Sequence, residues 1–555
     1  MMLLATLLLA AGVSLEIAPQ GTADMTGAVM DAVDAARAAG GGEIRFAKGA
    51  YHFRSPSRMR FFVSNHDNPD PRNVFVPLTN VTDVALVAGS ADFVFHGEGV
   101  GLMLSDARNV TVRGIRLDYA VPFFTEARFM RYDGGCPVVR TAPPQFALAV
   151  EDGKLVSVGE GWKGKPRLAG VFSHKTGVFG GWRWFDGKAT DLGGGVFRIE
   201  DDWRKVRFAA PPEPDDVIQI RDGYRPNPTV FVCRARGTVF EDCVIHSSAG
   251  IGILAQRSEN ITVRGSGRAE ERKAGSFVKP GAGRLTSLQA DATHFSNCKG
   301  KITVENCLFE GMSDDAINVH STCLMIETKP AADRILCRYK HKQSVGFEVF
   351  LPGESLRYIR ARTLETAEKT VKVMSAEMKA FDLVELTLAE PVPAGIGVGD
   401  AVENADWQPA VDFKRNIVRN STPRATLFTT PGRVLCEGNL FDHVAGQAVH
   451  MSADARDWYE SGACSDVTVR GNVFRDCMIC GGKGVIQIDP NVKDLKAQKA
   501  RYHRNILIED NVFEQEIGPL VFARSVSNLV WRANRVTGDK SFDIEFCEGV
   551  KFDEP

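Results

Sequence analysis

One segment recurs along the chain. It reads TVFEDCVIHSSAGIGIL from Thr238, ITVENCLFEGMSDDAINV from Ile302 and VLCEGNLFDHVAGQAVHM from Val434. Further copies are VTVRGNVFRDC from Val467, ILIEDNVFEQEIGPLVFA from Ile506 and LVWRANRVT from Leu529, with a weaker one, VTVRGIRLDYA, from Val110. Each copy holds a short alternating β-branched strand, a polar turn, an Asn or Cys, an apolar pair and a second short strand. A period of roughly 20–40 residues with short strands and no amphipathic helices marks a β-solenoid, in which each coil buries its apolar side chains against its neighbours. The expected fold is all-β: a right-handed parallel β-helix. A chain of 555 residues exceeds one ordinary compact core but suits an elongated solenoid.

The recurring Asn439, Asn472, Asn511 and Asn534 are expected to stack at equivalent turns, because Asn tolerates left-handed backbone and its amide can bond along the stack. Cys243 and Cys307 fill the same slot and read as core ladder residues rather than disulfide partners. Cys477-x-x-Cys480 lies inside the same pattern, so packing outweighs a redox or metal role; pairing of Cys136, Cys464 and Cys547, which fall outside the ladder, stays open.

Two stretches interrupt the repeat. Residues 121–226, with Trp162, Trp182, Trp184 and Trp203 amid many glycines, and 324–405, with alternating runs such as LVELTLAEPV, read as small inserted β-barrel-like domains. The tryptophans suit either sugar stacking or the core of the insertion. The remaining segments are a leader at 1–20, solenoid at 21–120, 227–323 and 406–555, and an end-capping helix within 22–38, with Thr22 or Asp24 as its cap. The apolar start MMLLATLLLAAGV is too short to span a bilayer and reads as a signal peptide, which implies export to periplasm or medium; a buried first strand is the alternative. No later segment looks membrane-spanning. A formal net charge of −2 supplies no field for nucleic acid or for a polyanionic polysaccharide. Oligomeric state is not legible.

Departures from the repeat point to function. Counted from the stacked slot, the seventh residues are Gly250, Asp314, Gly446 and Gly518, and the eighth are Ile251, Asp315, Gln447 and Pro519. One copy alone carries two adjacent carboxylates. Asp291 lies 23 residues before Asp314, close to one coil, and so falls at the same place on the neighbouring coil. Adjacent strand residues face opposite ways, so the Asp pair requires a bend. Such a trio suits acid/base glycoside hydrolysis, in which crowding separates the proton affinities. A calcium site and a solvated acidic patch are the other readings. His294, Asn318, His320, Gln289 and Gln487 are candidate sugar-binding residues. The polar run at 61–74, with Asn65, His66 and Asp67, is either a capped turn or a loop over the site.

Together the SNHDNP, QADATH and SDDAINVH segments resemble glycoside hydrolase family 110, the exo-acting α-1,3-galactosidases, and the likeness covers most of the chain, both interruptions included. It implies inverting release of terminal α-1,3-linked galactose from oligosaccharides or glycoconjugates, blood group B structures among them, without metal or cofactor. Asp314 would then be the general acid, with Asp291 and Asp315 activating water. Rivals are the family 28 polygalacturonases, whose Gly-His-Gly segment is missing here, a calcium-dependent lyase, and a non-catalytic glycan-binding solenoid.

Overall fold

The computed structural model describes residues 12–553 apart from 68, 69, 143, 144, 206, 207 and 210. The chain winds into a parallel β-helix with three ladders. The first runs from Val13–Ile17 through Gly42–Phe46, Lys299–Glu305 and Val434–Glu437 to Lys551–Asp553. The second includes Leu308–Glu310, Ile417–Arg419 and Leu440–Asp442. The third carries Ile253–Gln256, Thr293–Ser296, the start of Ile317–Ala331, Thr426–Thr429, Val449–Met451 and Ile486–Ile488. Residues 1–11 of the expected leader lie outside the described residues. Residues 13–17 of that expected leader form the first strand, paired with Gly42–Phe46.

The helix spans Thr26–Ala38 and buries Met25, Val29, Val33 and Ala36, the stripe a 3.6-residue period produces. Asp24 Oδ1 accepts from the backbone N–H of Thr26 at 3.1 Å, serving its first turn. No helix among the described residues is long and apolar enough to cross a membrane.

The stacked slot forms a continuous polar ladder from Asn416 to Asn534. In each step the backbone N–H and the Nδ2 of one Asn both donate to the Oδ1 of the next: Asn439 to Asn472 at 2.9 Å, Asn472 to Asn511 at 2.9 Å, Asn511 to Asn534 at 2.9 Å. The left-handed conformation expected of the Asn falls one residue earlier, on Arg415, Gly438, Gly471, Asp510 and Ala533. The Asn is placed by its amide, not by its backbone tolerance. Beside the ladder Phe441, Phe474 and Phe513 stack with centroids 5.1 and 4.7 Å apart. Cys243 and Cys307 are buried in their slots, and all twelve cysteines are free thiols, Cys136, Cys464, Cys477, Cys480 and Cys547 included.

Both interruptions leave and rejoin the solenoid as antiparallel units. The first is a seven-stranded sheet running from Phe124–Asp133 to Val217–Arg221, faced by a three-stranded sheet that shares its core through Leu155, Phe129, Val171 and Trp203. In the second, strand Ile317–Ala331 runs straight out of the third ladder. It pairs in turn with Arg334–Arg338, Leu383–Leu388, Val371–Ala380, Ser355–Ile359 and Ala401–Asn404, which pairs back on it. That circuit closes a six-stranded barrel.

Removing one rung of the polar ladder tests its weight. Asn472→Ala strands the N–H of Asn439 and one of its two Nδ2 hydrogens in the core, at about 1–3 kcal/mol per unsatisfied group. A urea-unfolding midpoint well below wild type is expected, and an unchanged midpoint would show that the ladder is dispensable.

Candidate active site

The site lies on the outer face of the third ladder, where both insertions rise beside it. Register places the trio. Asp291 sits two residues before Thr293, Asp315 two before Ile317 and Arg424 two before Thr426, and those strand starts are aligned in register. The backbone pairing continues into these residues, with the N–H of Ala292 donating to the Asp315 carbonyl at 2.7 Å. Asp291, Asp315 and Arg424 therefore occupy one slot on three successive coils. The chain bends at Asp314, so that both members of the pair turn inward. Asp291, Asp314 and Asp315 each present an oxygen within 4.8 Å of the others.

Two arginines answer this charge. Arg424 Nε donates to Asp315 Oδ1 at 2.7 Å, and Arg225, just past the first insertion, donates to Asp314 Oδ2 at 2.9 Å. The N–H of Asp315 donates to Asp291 Oδ1 at 3.1 Å. Burial raises the proton affinity of all three carboxyls, while Arg225 and Arg424 oppose it. The Asp291 charge raises Asp314 further, and Asp314 raises Asp315. The trio thus holds a proton at pH values where a lone carboxyl has lost it, and it titrates as a unit. A divalent cation would compete with guanidiniums already seated on Asp314 and Asp315, so this donor set suits proton transfer better than metal binding.

His294 extends the cluster. Its Nδ1 donates to Asp291 Oδ2 at 2.6 Å, and its Nε2 faces Asn65 Nδ2 at 3.4 Å and His320 Nε2 at 2.8 Å. An amide N–H can only donate, so His294 Nε2 accepts and His320 Nε2 donates. His320 Nδ1 meets the Ser321 carbonyl at 3.1 Å, and Glu460 lies 3.6 Å from its Nε2. Burial, with His320 adding to it, lowers His294 to about 3.

These groups line a cavity of about 130 Å³. Of the expected residues, Asp291, Asp314, Asn65, His294, Asn318 and His320 reach it. Asp315 stands behind them, fully buried on Arg424. Four others do not line it. His66 turns Nδ1 to the Ser64 carbonyl at 3.1 Å and packs against Gly250. Asp67 accepts from Gln343 Nε2 at 2.8 Å, Lys342 Nζ at 2.9 Å and the backbone N–H of Arg225 at 3.1 Å, bracing the loop between the two insertions. Gln289 donates to the Phe123 carbonyl at 2.6 Å. Gln487 accepts from the backbone N–H of Lys483 at 3.1 Å. Each of these four spends polar groups on bonds within the protein.

Sequence reading missed Arg225, Arg424, His341, His450, Trp458 and Glu460, all in the wall. Arg424 was discoverable by extending the slot count one coil further. Trp458, 47% exposed, sits in a loop organised by Asp454, whose carboxylate accepts four successive backbone N–H groups from Arg456 to Tyr459. Its ring lies 4.2 Å from that of His341 of the barrel. None of Trp162, Trp182, Trp184 and Trp203 lines the cavity.

A family profile described as GLAA-B beta-barrel domain II matches residues 334–402, within the closed barrel. An α-1,3-galactosidase B of Akkermansia muciniphila is 40% identical over 551 residues, covering 95% of this chain and 67% of that protein. One from Phocaeicola vulgatus is 33% identical, covering 89% and 85%. Among solved structures, a polygalacturonase from Erwinia carotovora has a TM-score of 0.45 at 8% identity, covering 98% of this chain and 97% of that one. The chain belongs to glycoside hydrolase family 110, the family of these α-1,3-galactosidases.

Proposed function

We propose that the protein hydrolyses terminal α-1,3-linked galactose from the ends of glycans, blood group B structures included, with inversion at the anomeric carbon. The observation that carries this reading is the carboxylate trio, with Asp291 and Asp314 at the floor of a walled cavity and Asp315 directly behind them. About 130 Å³ is well below the roughly 300–1,000 Å³ of pockets for larger ligands and suits one sugar unit, as exo action requires. The names of the relatives support the galactose and its linkage.

Asp314 faces the cavity with Oδ1 free of hydrogen bonds, 3.8 Å from the Arg424 guanidinium, and is the general acid for the leaving oxygen. Asp291 and Asp315, joined through the Asp315 N–H, position and deprotonate the attacking water. His294 fixes the Asp291 carboxylate through the 2.6 Å bond. Inverting pairs commonly stand roughly 6.5–9.5 Å apart, whereas the nearest oxygens here lie within 4.8 Å. Spacing therefore does not support inversion; that part of the reading rests on the family resemblance.

Proton NMR of early products from galactose-α-1,3-galactose and from the fucosylated B-type trisaccharide decides the reading. β-Galactose is expected first, and α-galactose would reject inversion. Release from only one substrate would set the branch preference, and release from neither would reject the substrate. Asp314→Asn is expected to lower kcat/KM by about 10²–10⁴-fold. Activity after chelation and gel filtration is expected to be unchanged; loss that calcium restores would favour a cation-dependent site.

A further inference from the structure

One buried charge at the site has no role yet. Arg221 ends the strand Val217–Arg221 of the first insertion, is 7% exposed and does not line the cavity. No carboxylate among the described residues forms an ion pair with it. NH1 donates to the Gln289 carbonyl at 3.1 Å, the guanidinium lies 4.9 Å over the Trp182 ring, and Nε has no partner. Burying a guanidinium without a counter-ion is costly unless charge nearby compensates it.

That charge is the trio. Strand residues two apart share a face, so Gln219 and Arg221 point the same way. Gln219, fully buried, donates to Ser313 Oγ at 3.2 Å, next to Asp314, while Arg221 touches Gln289, two residues before Asp291. One strand thus braces both coils that carry the carboxylates. The charged and titratable groups that line the cavity with the trio are Arg225, Arg424, His294, His320, His341, His450, Asp454 and Glu460. With Arg221 the guanidiniums number three, against three carboxylates. Burial, and then the charge of Arg225, bring Arg221 down to about 9.

We propose that Arg221 is a positioning residue of the hydrolysis: an unpaired guanidinium, held between Trp182 and the Gln289 carbonyl, whose charge keeps the trio from taking up more than the one proton that acid catalysis uses. The inference rests on the trio being the hydrolytic carboxylates. A nearby cation favours ionised carboxylates. Its removal raises the pH at which the base ionises and the pH at which the acid loses its proton, so both limbs of the pH profile move up.

The pH dependence of kcat/KM for galactose release tests this in wild type, Arg221→Gln and Arg221→Lys. Both limbs are expected to rise by about half a unit to one unit in Arg221→Gln and to stay in place in Arg221→Lys, which retains the charge. Unmoved limbs in Arg221→Gln, or equal movement in both variants, would overturn the proposal and leave Arg221 a packing residue. Arg221→Met, which keeps length over Trp182 without charge, replaces Arg221→Gln if that variant does not fold, with the same two outcomes. A wild type that releases no galactose rejects the hydrolase reading itself, a result distinct from any of these.

Discussion

The structure depends on the spacing between coils. Parallel strands stack at roughly 4.8 Å, so a side chain in one slot touches its counterparts on the coils before and after it. An Asn in such a slot meets another Asn, and the amide accepts two bonds from one side while donating to the other. A Phe meets a Phe in near-parallel stacking. Unlike polar groups scattered in a globular core, each amide of the Asn ladder has a partner supplied by the repeat itself.

The same spacing governs charge. Asp291 and Asp315 share a slot on neighbouring coils, so the ladder forces two carboxylates together. Left alone, such a pair would neutralise itself by taking up protons and lose its base. Arg424 in the next coil compensates within the stack, but a stack offers only one neighbour on each side. Arg424 reaches Asp314 only at 3.8 Å, and the close counter-charge for Asp314 arrives sideways on Arg225, where the first insertion rejoins the solenoid. Insertion and chemistry are thus coupled: the solenoid crowds the carboxylates, and the chain that leaves it brings back a counter-charge.

How much of this was legible in the sequence follows from range. The β-helix could be read because coil-to-coil contacts recur at a near-constant sequence interval. Asp291, Asp314 and Asp315 stood out because they break that interval pattern. Arg424 obeys the same arithmetic and lay within reach of it. Arg225, His341, Trp458 and Glu460 did not, since their approach to the site depends on how loops from separate units fold over one face, which no local period encodes. Polar residues read as sugar ligands fall on both sides of the cavity wall. His66, Asp67, Gln289 and Gln487 are polar because buried backbone and loop groups need partners, and pattern alone does not separate that need from a ligand's. The Asn ladder was placed correctly for its amide and wrongly for its backbone, because the left-handed turn is completed one residue earlier.

An open β-helix face presents a groove, and a groove admits long chains. What makes a pocket here is material from outside the repeat: His341, Gln343 and Ser344 of the barrel, Arg225 beside the first insertion, and the 452–460 loop that Ser321 and Thr322 pin by pairing with Ser461 and Glu460. The walls come from separate units, so their relative placement needs a common anchor. Asp67 provides one, binding Gln343 and Lys342 of the barrel with one oxygen and the backbone of Arg225 with the other. That backbone belongs to the residue that holds Asp314. A carboxylate that does not line the cavity thereby ties the barrel side of the pocket to the residue that holds Asp314, so the wall and the setting of Asp314 cannot vary independently.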